Sequence, residues 1–399
     1  MTSKGSKKSK WMRFLAVALS LMMTLGFTGC DKGSEDDSSS SESSEVSGVE
    51  DEQLEVHKVG YIFREHVSNG GFAAQLCEQR LRASNRSSVE TCYIDGVTLT
   101  DFEDAVKKLA AAGCTDIVSC SPAYANVLNS VAKSYMDLDF ISFGSLNDTI
   151  NVSAYTEAPY QGAYIAGLAA DFNSKAKKIG VVADPSLPNT VAVVNAVELG
   201  SEVNQDGGSH VYAAGAEADD EIETAIDALI DKGCDVIVCY TNSEHSADYC
   251  EKKGIKYIGC LDYSEHEKEY PHMLMYFYCQ RDNYFLAQFK SMKLGTWGTD
   301  IYVGDMSNSV VNVSSALDAA DDGTEKLINA IVPYFTSGAA LVFRGPLKDI
   351  NGNVKYLETD ILTDEEIAAM NWFVQNVESI GDFREPNVNI SSGNLDIKT

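Results

Sequence analysis

The chain contains an internal repeat with a period of roughly 120 residues. Residues 105–120 (AVKKLAAAGCTDIVSC) match residues 225–240 (AIDALIDKGCDVIVCY), and the earlier KVGY at 58–61 recurs as KIGV at 178–181. This period is too long for a solenoid and suits two similar lobes. Each copy has the pattern of a strand, a helix ended by Gly, and a buried strand, and a third strand follows at 139–144 or 256–262.

Continuous apolar strands separated by helices indicate parallel sheets that are covered on both faces. We therefore predict an α/β fold with two Rossmann-like lobes, parallel sheets and a hinge cleft. The expected first lobe is 54–155 and the second is 156–264. The strand-like and helical segments within 265–399, with a hairpin turn at Asn351-Gly352, are expected to return to both lobes.

Ligands of open parallel sheets bind beyond the carboxyl ends of the strands. The segments expected there are 63–72, 121–124, 143–147, 183–189, 240–242 and residue 262. Phe72 follows Gly70-Gly71 at a helix start, where it can stack on a planar ligand or simply pack the helix. Tyr124, Tyr160 and Tyr240, with Asn242 in the last loop, are further candidates, although each tyrosine can equally serve lobe packing.

The first residues predict an exported, lipid-anchored protein. Residues 1–29 combine five basic residues with a short apolar run and end in FTG before Cys30, which is the pattern of a lipoprotein signal peptide. Acylation of Cys30 would hold the protein at the extracytoplasmic face of the cell membrane. Residues 30–53, rich in Ser and acidic side chains, are expected to form a flexible tether.

Composition excludes one class of partner. The formal net charge of −28 repels phosphate backbones and disfavours nucleic-acid binding.

Nine cysteines besides Cys30 leave at least one free thiol, and no two of them have the C-x-x-C spacing of zinc or redox sites. We expect mostly free thiols, although the sequence leaves their pairing open.

Four motifs resemble the basic membrane protein family of substrate-binding lipoproteins, whose best-known members are similar to purine-nucleoside receptors of ABC importers. They are AYIAGLAA (163–170), IGVV with a Pro-containing loop (179–188), FRGPLKDINGNV (343–354) and LTDEEIAAMNWFV (362–374). The resemblance implies a type I periplasmic-binding-protein fold and a small-molecule ligand. It also implies an ABC permease and ATPase as partners. We further expect a monomer with no cofactor and no enzymatic activity.

The first ligand loop departs from the family pattern Asp-Lys-Ser-Phe-Asn. Phe72 keeps the aromatic residue that by resemblance stacks on a base, while Asn69 stands where an acid is expected. By resemblance Asp262 accepts two ribose hydroxyls, and Arg281 replaces a lysine whose position is taken by Cys279. A purine nucleoside is thus the leading ligand, with a modified nucleoside, a sugar or another small amphiphile left open.

Other functions find less support. Asp262 and its neighbours Glu265, His266 and Glu267 resemble metal ligands, but a solvated acidic loop is favoured because no second His or Cys lies at ligand spacing. The sequence contains no nucleophile elbow, P-loop or dinucleotide fingerprint. An enzyme on this scaffold and a sensing or adhesive surface lipoprotein remain the alternatives.

Overall fold

The computed structural model describes residues 57–144, 149–203, 208–381 and 395–399. The predicted signal peptide (1–29), the lipidation site Cys30 and the tether (30–53) lie outside these residues. Among the residues that are described, no helix is both long and apolar enough to cross a bilayer.

The first sheet consists of six parallel strands. They are β1 (Lys58–Ile62), β2 (Glu90–Ile94), β3 (Asp116–Ser119), β4 (Asp139–Phe143), β5 (Val152–Glu157) and β11 (Ile301–Gly304). Their order across the sheet is β11-β5-β4-β3-β1-β2. Helices α1 (Gly71–Ser87) and α8 (Asp282–Lys293) pack on one face, and α2 (Phe102–Ala111) and α3 (Ala125–Ala132) pack on the other. The apolar side chains on both faces of these strands are therefore buried, as a parallel sheet requires.

The second sheet has seven strands. They are β6 (Lys178–Ala183), β7 (His210–Gly215), β8 (Val236–Tyr240), β9 (Lys256–Gly259), β10 (Met273–Cys279), β12 (Val311–Val313) and β15 (Val377–Ile380). The order is β12-β10-β9-β8-β6-β7-β15, and only β12 runs antiparallel to its neighbour. The predicted α/β fold with two parallel-sheet lobes is confirmed.

Five helices cover the second sheet. Helices α4 (Pro159–Asn173), α5 (Thr190–Ser201) and α9 (Thr324–Thr336) lie on one face, and α6 (Asp219–Asp231) and α7 (His245–Lys253) lie on the other. A hairpin of β13 (Leu347–Lys348) and β14 (Val354–Tyr356) surrounds the Asn351-Gly352 turn, and α10 (Asp364–Ala368) follows it. Short 3₁₀ turns occupy Val67–Asn69, Pro122–Tyr124 and Glu267–Glu269.

Three described segments cross between the lobes, after β5, after β10 and after β11. The Ala158 N–H, in the first crossing, donates to the Gly304 carbonyl at the start of the third (2.8 Å). In the second crossing the Gln280 N–H donates to the Val310 carbonyl at the end of the third (2.7 Å). The crossings therefore form one hydrogen-bonded hinge rather than three independent linkers.

Two glycines let α4 and α5 pack with their backbones in contact. A Cβ at Gly167 of α4 would overlap the Val197 carbonyl oxygen of α5, and a Cβ at Gly200 of α5 would overlap the Tyr164 carbonyl of α4. The small-residue motif at 163–170 is thus required where the helices cross, since any side chain at Gly167 would push them apart.

The buried carboxyl of Glu198 in α5 creates a pH-dependent weakness in the second lobe. Burial raises the pKa of Glu198 to about 8, and the nearby charge of Glu202 acts in the same direction. In the unfolded chain the same group ionises near its ordinary pKa, so unfolding releases a proton between these two values. The free energy of unfolding therefore falls as the pH rises from about 4.5 to about 8.

We expect Glu198→Gln to remove this dependence, because the amide keeps the shape of the side chain and has no proton to lose. The variant should match the parent at pH 5 and unfold about 5 °C higher or more at pH 8, on the order of a few kcal/mol. Thermal unfolding of both proteins at the two pH values measures this difference. Glu358→Gln, at an exposed carboxyl, is the control, and parallel pH curves for Glu198→Gln and the parent would contradict the assignment.

Candidate functional site

The carboxyl ends of the strands in the two sheets face one another across a cleft. At the start of α1 in the first lobe, the Phe72 N–H donates to Asn242 Oδ1 in the loop after β8 (3.0 Å). One turn later the Gln75 amide donates to the Asp262 carbonyl (3.3 Å) and accepts from the Asp262 N–H (3.1 Å). These bonds join the lobes directly, so the structure shows the cleft closed.

A small cavity of about 40 Å³ lies inside the closed cleft. It is lined by Phe72, Gln75, Glu157, Pro159, Leu187, Pro188, Tyr240, Thr241, Cys260, Leu261, Phe277, Tyr278, Cys279 and Arg281. The residues that line the cavity come from both lobes and from two of the three crossings. The free volume accommodates only a few water molecules, so any larger ligand requires the lobes to separate first.

Phe72 forms the aromatic wall on the side of the first lobe. Its ring packs edge-on against Phe143 (centroids 5.6 Å apart), and the Arg281 guanidinium lies 4.7 Å from the ring centroid. The two neighbours hold the ring, and Phe72 itself lines the cavity.

Tyr240, at the end of β8, forms an aromatic wall on the side of the second lobe. The ring stacks on Phe277 (centroids 6.3 Å apart), and the hydroxyl donates to the Pro188 carbonyl (2.8 Å). Burial raises the pKa of Tyr240 well above its usual range, so the phenol is uncharged. The cavity thus has a fixed aromatic ring from each lobe.

A buried ion pair lies at the back of the cavity, where the first two crossings meet. Arg281 Nε is 2.6 Å from Glu157 Oε1, and Nη2 donates to Oε2 (2.7 Å). The Tyr155 hydroxyl also donates to Glu157 (2.6 Å), and Arg281 Nη1 donates to the Cys279 carbonyl (3.0 Å). Burial lowers the pKa of Arg281, but Glu157, together with Cys279 and Tyr155, acts in the opposite direction, and the net pKa is raised. The two charges compensate each other, and the cavity offers no net charge to a ligand.

Outside the cavity, a depression of about 440 Å³ marks the mouth of the cleft. It is lined by Arg64, Glu65, Asn69, Gly70, Asp184, Ser186, Glu217, Asp219, Asn242 and Ser243. Burial raises the pKa of Asp184 to about 6, and the charges of Glu217 and Glu65 act in the same direction against the hydrogen bonds from Ser186. Burial likewise raises the pKa of Glu65, against the opposing charge of Arg64 and with a smaller contribution from Glu217 in the same direction as burial. Acidic groups of both lobes therefore oppose each other when the cleft is closed.

The structure brings most of the sequence-predicted residues to the cleft. Phe72, Tyr240 and Arg281 line the cavity, while Asn69 and Asn242 line its mouth. Asp262 meets the first lobe through its main chain, and its carboxylate accepts from the Ser264 N–H (3.1 Å). In this closed form Arg281 is bound to Glu157 rather than presented to a ligand as a free charge.

Two predicted residues lie elsewhere. Tyr124 follows β3 as expected, but its ring turns inward onto Phe102 in the core of the first lobe and its hydroxyl donates to the Val97 carbonyl. Tyr160 points away from the cavity and packs edge-on against Phe343 (5.4 Å). Both tyrosines follow a strand, as the sequence predicted. The direction of each ring depends on an aromatic partner elsewhere in the chain, Phe102 or Phe343.

Sequence reasoning did not single out two cavity residues of consequence, Gln75 and Glu157. Gln75 lies one helical turn after Phe72, so its spacing placed it on the same face of α1. Glu157 ends a strand whose other residues are buried, and Pro159 follows at the start of a helix. A charged residue at the carboxyl end of a buried strand was the available signal.

The predicted acidic loop does not form a metal centre in the part of the chain that the structure describes. No three His, Cys, Asp or Glu side chains there are arranged to hold a metal ion. His266 instead pairs with Glu269, at 3.6 Å.

Comparison with known proteins places this geometry in a family. A family model described as PnrA-like ABC transporter substrate-binding protein matches residues 56–256. The purine-binding protein of Brucella abortus is 28% identical over 332 residues, which cover 80% of this chain and 93% of that protein. A putative ABC transporter glucose-binding protein of Haloferax volcanii is 30% identical over 151 residues, which cover 37% of this chain and 39% of that protein.

Solved structures show the same fold. An ABC transporter solute-binding protein from Aeropyrum pernix superposes with a TM-score of 0.61 at 14% identity, covering 78% of this chain and 98% of that one. The family model spans half of the chain and includes the first ligand loop, both aromatic walls and most of the two sheets. The chain belongs to the PnrA-like family of ABC transporter substrate-binding proteins.

Proposed function

We propose that this substrate-binding protein captures a purine nucleoside by closing its lobes and delivers it to the permease and ATPase of an ABC importer. The observation that carries the ligand assignment is the pair of aromatic walls, Phe72 from the first lobe and Tyr240 from the second, on one cavity. Aromatic rings held by their neighbours favour a planar ligand. The purine-binding relative in Brucella abortus supports the same class of ligand.

Charge compensation in the cavity supports an uncharged ligand. The ion pair of Glu157 and Arg281 leaves no net charge at the back of the cavity, and the mouth carries an excess of carboxylates. A nucleotide phosphate would be repelled by this mouth, whereas a nucleoside has no charge to repel. In the closed cleft the Asn242 amide bonds the Phe72 main chain, and the Gln75 amide bonds the Asp262 main chain. When the cleft opens, these groups can bind the polar edge of the ligand instead.

Delivery requires the protein to open and close. Ligand sites usually occupy about 300 to 1,000 Å³, far above the 40 Å³ of the closed cavity. We infer that the lobes open about the three crossings, admit the ligand and close around it as a monomer. Acylation of Cys30 and the tether that follows would keep the protein near its permease at the extracytoplasmic face of the membrane.

A sugar is the second candidate ligand. The local match to a putative glucose-binding protein favours it, and aromatic walls also stack on sugar rings. We rank it lower because that match covers 37% of this chain, against 80% for the purine-binding relative. Calorimetric titration of the purified protein with adenosine, guanosine, inosine, uridine and glucose separates the two candidates. Binding of glucose alone would overturn the purine assignment.

We expect Phe72→Ala to weaken binding of the best purine nucleoside about tenfold or more, the scale of one lost base stack. Its unfolding temperature should stay close to that of the parent, because the ring is only partly buried. Calorimetry and thermal unfolding measure the two quantities. Phe172→Ala, at a more exposed phenylalanine outside the cavity, is the matched control. Unchanged affinity in Phe72→Ala would remove this residue from the site.

Gly71→Ala should prevent full closure of the cleft. A Cβ at Gly71 would overlap the carbonyl oxygen of Asn242 in the opposite lobe. Gly70→Ala is a matched control, because Gly70 also has positive φ (+79°) but no atom within 4 Å of the added carbon. We expect nucleoside affinity to fall at least about tenfold more in Gly71→Ala than in Gly70→Ala. Equal losses in calorimetric titration would show that backbone strain, and not closure, is responsible.

Nucleoside affinity should rise as the pH falls from 7.5 to 5.5. Closure brings Glu65 towards Asp184 and Glu217, and the raised pKa of Asp184, about 6, means that the closed form holds a proton that an open, solvated cleft would release. We expect a gain of about three- to tenfold, measured by calorimetry with a nucleoside that does not itself titrate in this range. Asp184→Asn, which removes the titrating carboxyl, should flatten the profile. A profile that rises with pH would contradict this account.

A further inference from the structure

The C-terminal segment 395–399 lies on the edge of the first sheet. The Tyr93 N–H of β2 donates to the Lys398 carbonyl, and the Lys398 N–H donates to the Tyr93 carbonyl, each at 2.8 Å. Lys108 of α2 holds the start of the segment by donating to the Leu395 carbonyl (2.8 Å). The preceding strand in the described chain, β15, belongs to the second sheet. The end of the chain therefore returns to the first lobe and covers the free edge of β2.

The side chain of Lys398 reaches a buried carboxylate at the carboxyl end of β2. Its Nζ is 2.6 Å from Asp95 Oδ1, and Asp95 is only 3% exposed. The other oxygen, Oδ2, accepts the Val67 N–H (3.1 Å), and His66 Nδ1 lies 3.5 Å from Oδ1. The Lys398 side chain is 43% exposed, but the Asp95 carboxylate is buried, and a desolvated carboxylate is costly without a cation.

Asp95 in turn holds the loop that forms part of the ligand site. Val67 begins the 3₁₀ turn that ends at Asn69, and Phe72 follows at the start of α1. The loop is packed closely here, since a Cβ at Gly96, next to Asp95, would overlap the His66 ring. A continuous series of contacts therefore runs from the C-terminal lysine through Asp95 to the turn that presents the aromatic wall.

We propose that Lys398 is a positioning residue for the ligand-binding loop, and that the C-terminal segment sets ligand affinity by holding the 67–69 turn through Asp95. The effect on affinity rests on the function proposed above. The effect on the turn does not, because it follows from contacts within the first lobe. These two consequences can be measured separately.

The ligand-independent measurement is hydrogen exchange of the full-length protein. In Lys398→Met the Asp95 charge loses its cation, the carboxylate draws water, and its bond to the Val67 N–H weakens. We expect the Val67 amide, and peptides covering 64–72, to exchange about tenfold faster or more. Lys398→Arg should retain slow exchange. In the double variant Asp95→Asn with Lys398→Met no buried charge remains, and the amide oxygen still accepts from Val67, so exchange should return towards that of the parent.

Lys232→Met is the matched control. Lys232 Nζ bonds Glu378 of β15 at 2.8 Å, a lysine and acid pair on the edge of the second sheet with no contact to the ligand loop. It should leave both the exchange at 64–72 and nucleoside affinity unchanged. Deletion of residues 398 and 399 removes the lysine together with its main-chain bridge and should reproduce the effect of Lys398→Met.

Affinity is measured by calorimetry with the nucleoside that binds the parent most tightly, and unfolding temperature is recorded alongside. We expect Lys398→Met to weaken binding about three- to tenfold with less than about 2 °C change in unfolding temperature. Unchanged exchange at 64–72 in both Lys398→Met and the deletion would overturn the positioning role. Faster exchange together with no nucleoside binding by the parent would instead overturn the proposed function and leave the positioning role standing.

Discussion

The ion pair of Glu157 and Arg281 is the interaction on which the two-lobe arrangement depends. It joins the first crossing to the second through two buried side chains, and main-chain bonds from Ala158 and Gln280 join both crossings to the third. A buried charge is tolerated only when it is paired and its remaining groups are hydrogen-bonded. Tyr155 donates to Glu157 and Arg281 donates to the Cys279 carbonyl, and these bonds hold the first two crossings in one geometry.

The same pair links the hinge to the ligand wall. Arg281 lies against the ring of Phe72 while Gln79 of α1 accepts from the Arg281 N–H (3.0 Å). Helix α1 is thus attached to the hinge at Gln79. One turn nearer its start, α1 is attached to the opposite lobe through Gln75. In the opening motion proposed above, rotation of the lobes would therefore act on the aromatic wall through direct contacts.

Closure is a balance between small opposing effects. Three hydrogen bonds between the lobes, from Phe72 to Asn242 and between Gln75 and Asp262, favour the closed form. Opposed carboxylates at the mouth, with Glu65 on one lobe and Asp184 and Glu217 on the other, favour the open one. Since each effect is worth only about 1 kcal/mol or a few, a ligand with contacts to both lobes can shift the population. This balance suits a protein that must both bind and release.

The fold was predictable because it follows from local periodicity. Apolar runs such as 116–120 and 236–240, each preceded by a helix and a Gly, specify a parallel strand, and their repetition specifies two sheets. Phe72, at the start of α1, and Tyr240, at the end of β8, were selected as candidates by the same reasoning, because loops and helix starts beyond the carboxyl ends of parallel strands commonly form the ligand edge. Tyr124 and Tyr160 were selected by the same rule, with lobe packing as an equal alternative, and their rings pack against Phe102 and Phe343.

Contacts between distant residues were decided by the tertiary structure alone. Glu157 and Arg281 are 124 residues apart, and Asp95 and Lys398 are 303 apart. Neither pair has a spacing that periodicity can recognise, because a buried ion pair forms wherever packing brings two desolvated charges together. The sequence by itself determined the strands, the two lobes and the edge of the sheets at which the candidate site lies. Only the folded chain decided which charges meet at the hinge, which rings face the cavity and where the C-terminus docks.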